Sequence, residues 1–98
     1  MFNVGDYVIV RTKSAGHYAG YFTSREGQEA VLSNARKLWY WEGANNLGDM
    51  ALNGVKFPKK CKFPAPTPFV LLMETIEILP VSFKAQECIE SVPVWSAH

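Results

Sequence analysis

The chain has 98 residues, of which 48% are apolar and 19% charged, with a formal net charge of +1. This suits one domain over residues 1–98 with a real core, and near-neutrality excludes both a generic electrostatic grip on DNA or RNA and an acidic DNA mimic. No run approaches the roughly 18 apolar residues of a membrane span, and the opening MFNVGDYVIV lacks the regions of a signal peptide, so a cytoplasmic protein with no membrane partner is expected.

The predicted elements begin with DYVIVRT. Alternation there places Val8, Val10 and Thr12 on one face of a strand and Tyr7, Ile9 and Arg11 on the other. After the small-residue segment TKSAGH, YAGYFTS reads as a second strand, broken at Gly20. REGQ is a turn in which Gly27 supplies a positive φ. EAVLS forms a third strand, NA a short connection, and RKLWYW a fourth strand with Trp39 and Trp41 on one face.

EGANNLGDMALNGV follows. Asn45 or Asn46 caps a helix there, Leu47, Met50 and Ala51 form its stripe, and Gly54 stops it. KFPKKCKFPAPTPF is an extended, polyproline-like connector. FVLLMETIEILP reads as one long strand, with Glu74 on the same face as Val70, Leu72, Ile76 and Ile78. That carboxylate is expected to pair with Arg11 or Arg36. SFKAQECIES is a helix capped by Ser82, and VPVWSAH a terminal strand or docked tail. The fold class expected is α+β: a small, twisted, mostly antiparallel sheet of SH3-like barrel type with two short helices.

Three segments resist a purely architectural reading. In RTKSAGHYAGY, backbone N–H groups near Gly16 can approach an anion, Arg11 offers a forked donor set, Ser14 a hydroxyl, and His17 a donor or proton carrier. The spacing matches no P-loop or dinucleotide fingerprint, and a mobile hairpin tip with Arg11 paired to Glu74 or Glu77 is the plain alternative. In RKLWYWEGANN, Arg36, Trp39, Trp41 and Asn45 stand where an aromatic face can enter the core, an interface or a base stack. Lys56, Lys59, Lys60 and Lys62 suit phosphate contacts or a solvated loop. Cys61 and Cys88 are expected as free thiols. With no CxxC or HxxxH pair, no metal site or cofactor is expected.

YVIVRTKSAGHYAGY, REGQEAVLSNARKLWYWEGANNL, KFPAPTPFVLLMETIEILP and IESVPVW together resemble a family of short, uncharacterised proteins encoded by tailed bacteriophages and prophages. The resemblance implies a phage source and the cytosol of an infected bacterium, and it carries no catalytic residues across. It also brings the association of small phage proteins with action against host defences. The resulting expectation is a non-enzymatic accessory protein, a homo-oligomer that sequesters a small nucleotide-type ligand. Arg11, Ser14, Gly16 and His17 would hold phosphate, and Trp39 or Trp41 would stack a base, with Arg36 and Asn45 beside them. The alternatives are a protein–protein inhibitor of a host defence effector, a phosphodiesterase using His17, and a virion morphogenesis protein.

Overall fold

The computed structural model describes residues 2–96. Five strands, β1 (Tyr7–Thr12), β2 (His17–Glu26), β3 (Glu29–Lys37), β4 (Thr67–Leu72) and β5 (Thr75–Pro80), form one antiparallel sheet in the order β4-β3-β2-β1-β5. Two helices, α1 (Leu47–Asn53) and α2 (Phe83–Ser91), complete an α+β fold. No helix among the described residues is long and apolar enough to cross a membrane.

β4 and β5 lie at opposite edges of the sheet, yet only Met73 and Glu74 separate them in the chain. The sheet must therefore curl until both edges meet at one corner. There the Thr75 N–H donates to Gln28 O (3.0 Å) and the Lys13 N–H to Glu74 O (3.0 Å). No ladder joins β4 to β5, so the sheet is curled but not closed.

The corner corrects the single long strand expected over FVLLMETIEILP. Twelve extended residues would span about 40 Å, whereas the longest dimension of the molecule is 35 Å. The chain breaks at residues 73–74 and changes partner from β3 to β1. Glu74 is consequently exposed in a turn, where it accepts from the Ser14 hydroxyl instead of pairing with an arginine.

Two further expectations change. β2 runs unbroken through Gly20, because a register shift between Ala19 and Tyr21 absorbs the irregularity. A Cβ on Gly20 would sit 3.0 Å from Ala35 Cα and Ser33 O, so close backbone approach requires glycine there. EAVLS, NA and the start of RKLWYW join as β3, with Asn34 at φ 47°. The fourth strand expected from RKLWYW does not form. β2 begins at His17, and the Leu38 N–H bond to His17 O (2.8 Å) uses the last partner it offers. Gly27 adopts its expected positive φ of 59°.

Both faces of β1 are buried. Tyr7 and Ile9 pack with Leu38, Met50, Phe63 and Ile89 beneath the helices, while Val8 and Val10 pack with Leu32, Ala35 and Leu72 inside the curl. Val8, Ile9 and Val10 are fully buried, each worth about 1.5–3 kcal/mol. Asn46 caps α1, its side chain accepting from the Asp49 N–H (2.8 Å). Ser82 caps α2 by accepting from the Ala85 N–H (3.0 Å), and donates to Leu52 O (2.7 Å), which ties the helices together. The connector contains a short 3-10 turn, Pro58–Lys60, and its last residues begin edge strand β4. The tail docks where Val94 bridges Phe63; Ala97 and His98 lie outside the described residues.

Candidate functional site

An open groove of about 550 Å³ lies between the Arg11 end of β1, the start of β2, Trp41 and the first residues of α1. Antiparallel pairing sets Arg11 opposite His17 across β1 and β2, and Arg11 opposite Glu77 across β1 and β5. Three polar side chains thus reach one wall from three neighbouring strands.

Trp41 reaches the groove because the chain has left the sheet. Its segment is held by Gly43, whose carbonyl accepts from the Lys56 N–H (3.1 Å). At φ 93°, with a hypothetical Cβ 2.4 Å from Lys56 N, position 43 admits only glycine without rearrangement. Trp41 is half-buried against the helical core, and its ring meets His17 edge-on, centroids 5.7 Å apart. Asn45 is exposed at the rim; its backbone N–H donates to Asp49 Oδ2 (2.9 Å), and its side-chain amide makes no hydrogen bond among the described residues.

Arg11 Nε donates to Glu77 Oε1 (3.0 Å), with both side chains nearly half exposed (46% and 43%). Such a pair is worth at most about 1 kcal/mol and is screened by salt. The two Nη groups of Arg11 make no hydrogen bond among the described residues. Burial, followed by the positive charge of Arg11, holds the His17 imidazole below its usual pKa, so it is neutral at pH 7. A neutral ring offers one donor and one acceptor.

Four of the eight expected site residues, Arg11, His17, Trp41 and Asn45, therefore line one groove. The other four do not. Ser14 turns to Glu74. Gly16 (φ 90°) carries the carbonyl that accepts from Thr12, and a Cβ there would lie 3.3 Å from Lys37 Cε. Trp39 is exposed and stacks on Trp95.

Arg36 is the clearest departure. It is 3% exposed, and its guanidinium donates to Phe63 O (2.8 Å), Pro64 O (3.2 Å), Ile89 O (3.0 Å) and Val92 O (2.8 Å). Burial lowers its pKa, and four carbonyls stand in for a carboxylate. It clamps the end of α2 to the connector, and all of its reach is spent inside. Glu77, Asn46 and Leu79 also line the groove; only Glu77 had a signal in the sequence, as a possible partner of Arg11.

Cys61 and Cys88 are free thiols. Burial pushes the Cys61 thiol up, which makes it a poor nucleophile. Among the described residues no three His, Cys, Asp or Glu side chains gather as a metal site would need.

A family model described as "Domain of unknown function (DUF6948)" matches residues 5–89, and the chain belongs to that family. No curated protein and no solved structure matches it.

Proposed function

We propose that the protein is a non-enzymatic binder of a small nucleotide-type ligand, taken up in the groove. The observation that carries this reading is the convergence of Arg11, His17, Trp41 and Asn45 around about 550 Å³, a volume in the range of small-molecule sites. The free Nη groups of Arg11 suit a phosphate, for which a guanidinium fork is built. The accessible part of Trp41 suits a base and the Asn45 amide a base edge.

Retention is favoured over turnover by the state of His17. It has the one imidazole in the groove, and no carboxylate orients its ring among the described residues. A general base of that kind normally has such a partner. The resemblance to phage-encoded proteins supports a setting in the infected bacterial cytosol, where holding a nucleotide signal counters host defence. Exposed Phe69 and Leu71 on edge strand β4 support assembly into a homo-oligomer. The two-residue corner between β4 and β5 supports reading the curled sheet as an opened SH3-like barrel.

A second reading, a protein–protein inhibitor, is favoured by a separate cleft of about 460 Å³ lined by Phe57, Pro58, Lys59, Lys60 and Pro93. A thermal-shift screen against linear and cyclic nucleotides separates the two. A ligand at about 100 times its Kd adds roughly 2.7 kcal/mol and raises the midpoint of a domain this size by about 10 °C or more. The ligand should be recovered intact. No shift with any nucleotide moves the function to the Phe57 cleft, and ligand breakdown makes the protein an enzyme.

A further inference from the structure

A second surface, none of whose side chains lines the groove, is built from four aromatic rings with two ammonium groups set among them. Backbone pairing fixes its spacing. Lys37 faces Tyr18 across β2 and β3, with its Nζ 5.8 Å from the Tyr18 ring centre and 5.5 Å from that of Trp39. Tyr40 pairs with Lys62 through an isolated bridge, and Lys62 Nζ lies 5.5 Å from the Tyr40 ring and 5.7 Å from the Trp95 ring. Trp95 is placed by its N–H bond to Phe63 O (3.0 Å). It closes the row by stacking with Trp39, at 6.3 Å between centroids and 10° between planes.

The row therefore reads Tyr18, Lys37, Trp39, Trp95, Lys62, Tyr40. Trp39 is 58% and Tyr40 43% exposed. Neither lysine is in an ion pair; among the described residues the one ion pair is Arg11 with Glu77. Glu42 borders the row, accepting from the Tyr40 hydroxyl (2.8 Å).

We infer that this row binds single-stranded nucleic acid, with bases stacking on the exposed Trp39 and Tyr40 rings in place of the lysine heads, and the displaced Lys37 and Lys62 ammonium groups on the phosphates. Aromatic platforms interleaved with cations are what an unpaired strand requires. A duplex hides its base faces and needs more charge than two lysines bring. The carboxylates of an acidic peptide would use the two lysines but carry no aromatic face to stack on the rings. With a net charge of +1, the affinity comes from local stacking and not from a broad basic field, which narrows the expectation drawn from composition.

The test is fluorescence anisotropy with a labelled oligo-dT of about eight nucleotides, with polyglutamate as an anion that cannot stack. The expected result is saturable binding whose logarithm falls with log salt at a slope of about −1.4, for two phosphates neutralised on a single strand. Trp39→Ala weakens binding about tenfold or more, and Trp39→Phe keeps most of it. Lys37→Gln with Lys62→Gln brings the salt slope towards zero and carries the same test should Trp39→Ala fail to fold. Absence of binding, equal competition by polyglutamate, or a double lysine variant with an unchanged slope overturns the inference.

Discussion

The His17 imidazole meets the Trp41 indole edge-on, with centroids 5.7 Å apart and planes inclined by 74°. The two residues come from the start of β2 and from a segment outside the sheet, so this contact is the seam of the groove. Burial and Arg11 both lower the His17 pKa. Between the unfolded value and the lower folded one, the unfolded chain binds more protons, so stability is present above about pH 6.5 and is lost as pH falls through the folded value. Thermal unfolding from pH 7.5 to 5 should show this fall, and His17→Gln should flatten it. An equal slope in the variant assigns the pH dependence elsewhere.

Glu77 competes with any phosphate for Arg11. Glu77→Gln frees the guanidinium and removes a negative charge from the groove, at a stability cost within about 1 kcal/mol. Nucleoside monophosphate binding should tighten several-fold by calorimetric titration, more at low salt than at high salt. Weaker binding would place Glu77 in direct contact with the ligand instead.

Arg36 is a structural residue. Its replacement removes a charged donor from four carbonyls, of which Phe63 O and Ile89 O keep the Trp95 and Val92 N–H groups, and hydrogen bonds to charged groups are worth about 1.5–3 kcal/mol each. Arg36→Met should cost at least about 4 kcal/mol, a large share of a total of roughly 5–15 kcal/mol. Arg36→Lys should recover only part of this, because an ammonium cannot reproduce the fork. Urea unfolding of both variants measures it.

Gly43→Ala should cost about 2–4 kcal/mol, since the left-handed backbone and the Lys56 main chain both oppose a Cβ. The same substitution at Gly27, also at positive φ but with nothing within 4 Å of its Cβ, should cost less. Comparing the two in thermal melts separates backbone strain from collision.

Local rules carried much of the architecture. The β1 alternation, the Gly27 turn, the Asn46 and Ser82 caps and the stop at Gly54 are decided by residues within a few positions of each other. The departures have long-range causes. Nothing near Trp39 says that β2 begins at His17 and offers no ladder beyond Lys37. The break at residues 73–74 follows from the size of the whole sheet. Arg36 looked like Arg11 in sequence, and only the arrival of Phe63, Ile89 and Val92 distinguishes a clamp from a ligand contact. Four groove residues were legible because cations, rings and amides beside glycine-rich turns are visible in the chain. Their convergence was not.

The three tryptophans offer the most direct test, because Trp41 stands at the groove while Trp39 and Trp95 stack on each other elsewhere. Titration of the isotope-labelled protein with a nucleoside monophosphate should move the Trp41 indole N–H and the Arg11 Nε–H resonances saturably. The Trp39 and Trp95 indoles, whose row gains its affinity from several stacked bases of one strand, should move little and without saturating over the same range. Movement confined to Trp39 and Trp95, or no movement at all, would contradict the groove as the binding site.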